Sequence, residues 1–485
     1  MRKEVLIGID AGSTHLKAAL YNLKGELVDI RHSRILTYHS EPSFSEYDGE
    51  EVFSQLCAIL KELLTPEYIP VAVGISSFGE SVVPVDSEGN TLDRAIAWYD
   101  MRGQDSIDKF SDRFGLSRLY AITGQFPSGK FTLAKLLWMK ENAPQLLNKV
   151  YCFLFMQDYL AYRLTGNFCT EYSLASRSMM FDTSTLKWSQ DILSEGGLSI
   201  EQMPTVIPSG TSGGTVTPKA SALTGLPSGI PVILAGHDHS SASVAAGIRG
   251  SDAVLDSLGT SETSIFTECA VKHNMPQSES IGFYPYIQGQ WQYLSSIQGC
   301  GFSIEWMAKL LFEEPVFPKF FQVAKNAVEK SMDTPLFLPY LRGLQESPHA
   351  SGVITGLRDI HNRDSLCCSV LEGLCFEYKR RLESAESFTG FPFSCVRVVG
   401  RLSGEPVFMQ LKSDILEKPV EVLAQPEAVS QGAAVLAGMY SGCITDWKPD
   451  ILTVYLPGGD SSLYRDKYGQ YLNLVPPLPS DKASK

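Results

Sequence analysis

The chain has 485 residues, 44% of them hydrophobic and 20% charged, with a formal net charge of −13. These values suit a globular protein of two to four domains and exclude a general nucleic-acid binder, whose affinity comes from Lys and Arg on phosphates. No apolar stretch has the length that spans a bilayer, and the short run at residues 5–9 is too brief for a signal peptide, so a cytoplasmic location is expected. The ten cysteines show no Cys-x-x-Cys pair and read as buried free thiols in a reducing compartment.

In chain order, residues 5–9 form a run suited to a buried strand, Asp10 to Thr14 a turn, and residues 16–23 and 27–30 further strands. The glycine turn thus leads back into a strand, whereas a dinucleotide-binding loop leads into a helix. Helical periodicity marks 131–142 and 156–164. Residues 208–214, rich in Gly, Ser and Thr, read as loop. Residues 231–235 read as a buried strand that ends at Gly236. Residues 253–261 then repeat the opening pattern of apolar strand, Asp256, Gly259 and hydroxyl residues, and helices follow at 366–386 and 431–439. Two copies of one supersecondary unit predict an α/β protein with two domains of like fold, 1–247 and 248–485, divided near Gly247 to Ser251.

The first turn carries chemistry. Gly12, Ser13 and Thr14 can present N–H groups and hydroxyls to phosphate oxygens. Lys17 can add a point charge, and Asp10 can bind Mg²⁺. An ordinary Asp-Gly hairpin turn is the bland alternative. Gly259 and Thr260 repeat the arrangement. Asp238, just past the strand ending at Gly236, stands where α/β sheets place ligands. A carboxylate there can orient an alcohol and take its proton during phosphoryl transfer. His237-x-His239 as part of a metal site, or Asp238 as a helix N-cap, are the competing readings. Trp98, Asp100 and Arg102 at alternate positions of an extended segment would share one face, offering a sugar an apolar surface and polar groups; a half-buried strand with a surface ion pair fits as well. Glu80 is a further hydroxyl acceptor or a solvated turn. Residues 124–130 imitate the start of a Walker A loop, but Phe131 stands where the metal-binding hydroxyl belongs, so that reading is set aside.

In order and spacing, these motifs resemble the FGGY carbohydrate kinase family, which includes glycerol, xylulose, gluconate and rhamnulose kinases, over nearly the whole chain. Residues 9–14 with Lys17 are similar to its first phosphate motif, Trp98-x-Asp100-x-Arg102 to its sugar segment, and 158–166 with 170–176 to its mid-domain signature. Gly236-x-Asp238 resembles the segment carrying the catalytic base, 259–261 the second phosphate motif, and Glu427-Ala428 with Gly432-Ala433-Ala434 the closing helix. The resemblance implies two actin-like (ribonuclease-H-like) domains with an interdomain cleft, and Mg²⁺-ATP. It departs at Arg401 and Leu402, which replace two glycines of the adenine-side motif, at Glu171 in place of Asp, and at 343–348. Gly79 replaces the Arg of glycerol kinases, and Gly79-Glu80 the Met-His of xylulose kinases; His237-Asp238 is similar to the rhamnulose kinase pattern.

The expected reaction is ATP-dependent phosphorylation of a hydroxyl on a small ketose, sugar acid or polyol. Asp238 would be the base and Asp10 the metal ligand. Gly12, Ser13, Thr14, Lys17, Gly259, Thr260, Gly400, Ser403 and Gln410 would hold the nucleotide, and Glu80, Trp98, Asp100 and Arg102 the sugar. An actin-fold ATPase or phosphohydrolase, or a non-catalytic sugar sensor, are the rival readings. No nucleic acid or membrane partner is expected, and a homodimer is compatible with the sequence.

Overall fold

Strand β1 (Lys3–Ala11) is buried from Val5 onward, as a continuous apolar run covered on both faces should be. It turns into β2 (His15–Tyr21), antiparallel, with Asp10 opposite Lys17 and Ala11 opposite Leu16, and β3 (Leu27–Arg34) continues the meander. On its other side β1 pairs in parallel with β4 (Tyr68–Ser77), and β4 in parallel with β6 (Pro231–His237). The edge is β5 (Ser212–Thr215), antiparallel to β6. The composition of residues 208–214 points to loop, and the structure makes the last three of them part of a strand. Their glycines accept a register shift between Ser212 and Gly214, and the open edge of β6 supplies the backbone ladder. This computed structural model describes residues 2–250, 252–269, 281–314, 317–344, 347, 349–458 and 462–475; Ser251 and residues 345, 346 and 348 of the departing stretch lie outside them.

Among the helices that pack on this sheet are α1 (Gly49–Leu63), α2 (Asp238–Ala245) and α3 (Ala428–Tyr440). Alternate residues of β1 serve opposite faces. Ile7 and Ile9 pack with Val52, Leu56 and Leu60 of α1, whereas Leu6 packs with Ala433, Ala434 and Leu436 of α3. Gly8 of β1 and Gly74 of β4 are register partners, so two neighbouring strands offer a patch bare of side chains. A Cβ on Gly8 would lie 1.9 Å from the Ser430 carbonyl oxygen, and one on Gly74 1.9 Å from that of Ala433. A Cβ on Gly432 would in turn lie 1.8 Å from the Ser241 carbonyl oxygen in α2. Backbone therefore meets backbone from sheet to α3 to α2. Gly74→Ala is expected to cost about 1–3 kcal/mol, the usual range for overpacking, measured by urea unfolding. Gly469→Ala, on an exposed helix with no atom within 4 Å of the new Cβ, is the control and should not destabilise.

The described residues group into two compact units. The first runs to Gly247 and takes in Gly282–Gln292 and Glu427–Lys448; the second comprises Ile248–Ile281, Tyr293–Pro426 and the chain from Pro449. The division is thus not a single cut at residue 247. Segment Glu427–Lys448 returns to the first unit because the glycine patch on β1 and β4 seats its small-residue helix.

In the second unit β7 (Ala253–Leu258) pairs antiparallel with β8 (Glu262–Glu268) and in parallel with β9 (Cys395–Val399). Strands β10 (Val420–Leu423) and β11 (Ile451–Tyr455) extend the sheet beyond β9. The hairpin and parallel strand of β1, β2 and β4 therefore recur in β7, β8 and β9. The two aspartates do not correspond, contrary to what the sequence repeat suggests. The pairs flanking the turns are Ala11–Leu16 and Leu258–Glu262, so Asp10 is one residue before the turn pair and Asp256 two. Side chains alternate along a strand, and Asp256 lies on the other face, fully buried. The expected helices are found at Thr132–Asn142, Met156–Thr165, Arg363–Thr389 and α3. No helix among the described residues is long and apolar enough to cross a membrane.

Candidate functional site

Asp238 stands at the carboxyl end of β6 as the first residue of α2, its side chain 30% exposed. Its placement is fixed from below. Gly236 has φ 93°, and a Cβ there would meet the Ser173 hydroxyl at 2.4 Å. The Gly236 N–H donates to Gln157 Oε1 (2.6 Å), the His237 N–H to Ser173 Oγ (2.9 Å), and Ser76 Oγ to the Gly236 carbonyl (2.7 Å). Ser173 Oγ itself donates to Glu171 (2.7 Å), and Glu171 caps the helix Tyr172–Ser176 by accepting from the Ser173 and Leu174 N–H groups. The mid-domain signature thus holds the strand end, and Glu171 serves as a cap, a task for which its carboxylate suffices.

Asp238 Oδ1 accepts from the His239 N–H (2.7 Å) and lies 3.3 Å from His237 Nε2. The cap position belongs to His237, so the reading of Asp238 as N-cap of a helix beginning at Ser240 or Ser241 is corrected: the helix begins at Asp238 itself, which stands in the first turn, where the helix N-terminus favours negative charge. Burial pushes His237 down to about 3, so its imidazole is neutral. Its Nε2 faces Asp238, and its buried Nδ1 has no hydrogen-bond partner. Among the described residues no group of three or more His, Cys, Asp or Glu side chains is arranged to hold a metal, which leaves the His-x-His reading without support.

Asp10 is buried, 8% exposed. Burial pushes its carboxyl up to about 7, with Lys17 pulling it down and Asp238 and Glu427 pushing it further up. Asp10, Lys17, Glu427 and Asp238 therefore share one neighbourhood. The Lys17 ammonium is 2.6 Å from Glu427 Oε2, already engaged by a carboxylate. A buried carboxyl short of positive charge fits a cation, and Mg²⁺ commonly uses one or two carboxylates with phosphate oxygens and water completing its shell. Because the folded pKa exceeds the unfolded 3.8, the protonated carboxyl favours folding at low pH, and that advantage is lost as pH rises through about 7. Asp10→Asn should therefore be more stable than the parent at pH 8, by at most about 4 kcal/mol at about 1.4 kcal/mol per unit, and nearly level with it at pH 4, as read by urea unfolding. Gly12, Ser13 and Thr14 form the partly exposed turn beside Asp10, closed by the Gly12 N–H on the His15 carbonyl (3.1 Å).

Glu80 is a buried residue with φ 64°, ion-paired to Arg177, rather than part of a solvated turn. The expectation that Trp98, Asp100 and Arg102 share an extended face is overturned. Trp98 and Tyr99 occupy a turn closed by the Asp100 N–H on the Ala97 carbonyl (3.0 Å). The Asp100 carboxylate accepts from the Ser45 N–H (2.7 Å), the Arg102 N–H (2.9 Å) and Arg102 Nε (3.1 Å) and Nη2 (2.6 Å). Arg102 also pairs with Glu46 (3.1 Å) and stacks 3.6 Å over Phe44. Both charges are spent on each other inside the unit, and only Trp98, 37% exposed, remains open to a ligand.

In the second unit Gly259 and Thr260 form an exposed turn, the Gly259 N–H donating to the Ser261 carbonyl (2.9 Å). Gly400 has φ 99°, and a Cβ there would meet the Leu258 carbonyl oxygen at 2.2 Å, so this loop packs directly on the end of β7. Ser403 Oγ donates to the Gly400 carbonyl (2.7 Å). Of the residues replacing glycine, Leu402 is buried and Arg401 lies 4.8 Å over Phe317. Gln410 Nε2 donates to Asp414 (2.8 Å) and the Leu456 carbonyl (2.9 Å). Sequence reasoning passes over Arg177 and Lys130 in the first unit and Lys412 in the second, and takes His237 only as a metal ligand. Lys130 is hidden inside the rejected Walker-like stretch.

A hairpin-plus-parallel-strand unit repeated in two α/β domains is the actin-like, ribonuclease-H-like architecture of sugar kinases. The xylulose kinase of Rhodospirillum rubrum superposes with a TM-score of 0.90 over 97% of this chain and 98% of its own, at 24% identity. Residues 5–245 match the N-terminal domain of the FGGY family of carbohydrate kinases and residues 255–441 its C-terminal domain, and the chain belongs to that family. It is 27% identical to the xylulose kinase of Bacillus subtilis, covering 97% of this chain and 96% of that protein, and 30% identical to the L-fuculokinase of Escherichia coli K12, covering 91% and 93%. It is a sugar kinase.

Proposed function

We propose that the protein transfers the γ-phosphate of ATP, in line, to a hydroxyl of a small ketose, sugar acid or polyol, with Asp238 as general base. One observation carries this reading: the Asp238 carboxylate sits at a strand's carboxyl end with Oδ1 held by the His239 N–H and His237 Nε2 3.3 Å away, while Oδ2 has no partner among the described residues. Oδ2 takes the proton of the acceptor hydroxyl as its oxygen bonds to the γ-phosphorus. The bond from that phosphorus to the β–γ bridging oxygen breaks, and ADP leaves. His237 beside it is neutral and does not compete for the proton.

The N–H groups and hydroxyls of Gly12, Ser13 and Thr14, and those of Gly259 and Thr260, bind phosphate oxygens. Gly400, Ser403 and the free oxygen of the Gln410 amide serve the nucleoside end. Lys17, through Glu427, orders the surroundings of Asp10. Asp10 would hold Mg²⁺, which when bound neutralises charge on the transferring phosphate. Trp98 would stack on the sugar and Glu80, with Arg177, would meet its hydroxyls, while the Asp100–Arg102 pair fixes the segment that carries Trp98. The ten free cysteines agree with a cytoplasmic setting.

The test is ADP release from Mg²⁺-ATP with and without a panel of sugars. Release is expected to depend on a sugar. Release at the same rate without one would make the protein an ATPase and refute the transfer.

A further inference from the structure

Around Asp238 the first unit gathers more cationic donors than it satisfies, although the chain as a whole carries a net charge of −13. Arg177 Cζ and Lys130 Nζ each lie 5.0 Å from the centre of the same ring, Phe131. Arg177 spends one Nη on Glu80 and reaches Gln125 Oε1 only at 3.5 Å, while its buried Nε has no hydrogen-bond partner. Lys130 makes no ion pair or side-chain hydrogen bond among the described residues; Arg177 and Glu80 act on it, and a second buried ammonium, Lys135, donates to its backbone carbonyl. Burial, with Arg177 adding to it, holds Lys130 down to about 8, which marks an ammonium short of a counter-charge. The cluster borders the base: a Cβ on Gly79 would lie 3.0 Å from His237 Cδ2 and 3.1 Å from Arg177 Cγ, so these two side chains flank one glycine.

The carboxylate beside this pair, Glu80, is already taken by Arg177. A neutral polyol would give these donors acceptors but no charge. A carboxylate gives both, and hydrogen bonds between ionised partners are roughly twice as strong as neutral ones. We propose that Lys130 and Arg177 bind a carboxylate of the acceptor, so that the preferred substrate is a sugar acid rather than a neutral ketose or polyol. This rests on the kinase reading above and narrows it.

The experiment compares kcat/KM for D-gluconate and D-xylonate with that for D-xylulose, L-fuculose and glycerol, in the parent, Lys130→Met and Lys130→Arg proteins, each first shown to melt normally. The parent should favour an aldonate by at least about 10-fold. Lys130→Met should erase most of that ratio through a raised KM for the aldonate, and Lys130→Arg, which keeps the charge, should restore it in part. A parent that prefers a neutral sugar, or a preference unmoved in Lys130→Met, overturns the inference and leaves the kinase reading intact. The absence of ADP release with every sugar overturns both.

Discussion

Asp238→Asn is expected to lower kcat by at least about 10²-fold, the ordinary scale for loss of a general base, with the protein still folded. Asparagine keeps the shape of the side chain and an oxygen to accept the His239 N–H. It removes the group that accepts the proton. The proposed sugar contacts lie elsewhere, so KM for the sugar should change far less than kcat. The melting temperature should stay close to the parent's, because the carboxylate is partly exposed and only lightly tied. A variant that folds and turns over at near-parent rate would remove Asp238 from the mechanism.

The second large effect concerns stability. Lys412, on the helix Pro406–Leu416, is ion-paired to both Asp256 and Glu262, and all three side chains are buried. The ammonium also lies 4.0 Å over the Tyr378 ring. The two carboxylates hold Lys412 well above its ordinary range, while burial and Glu262 push Asp256 up. Lys412→Met leaves a carboxylate buried without its cation, a loss of about 3–5 kcal/mol, read by urea unfolding. The triple variant Lys412→Met, Asp256→Asn, Glu262→Gln should recover part of that loss. Full stability in the single variant would show that the pairing contributes nothing. Asp256 on β7 and Glu262 on β8 flank the Gly259–Thr260 turn, so the single variant should also weaken nucleotide binding.

The first hairpin is legible in the sequence because its signals are local: an apolar run, then Asp and Gly, then hydroxyl residues. So is Asp238, since an apolar run followed by Gly236 marks the strand's end to within a residue of its last member, His237. What stays hidden depends on distant partners. Nothing near Asp100 announces that Ser45 and Arg102 will fill its acceptor positions. Asp256 looks like a second Asp10 because composition repeats more faithfully than parity, and one residue of offset turns a side chain to the other face. The return of Glu427–Lys448 to the first unit has a visible trace in Gly8, Gly74 and Gly432, but its meaning needs the register that pairs Gly8 with Gly74. Lys130 invites comparison only with a Walker loop; its place beside Phe131 and Arg177 comes from tertiary packing.

The most direct measurement tracks the γ-phosphate itself. Rapid-quench experiments with ATP labelled at that group, Mg²⁺ and saturating sugar should show label passing to a sugar phosphate in step with ADP formation, and transfer slower by at least about 10²-fold in Asp238→Asn although that variant still binds ATP. Label released as inorganic phosphate, or sugar phosphate formed equally fast by both proteins, would contradict the account.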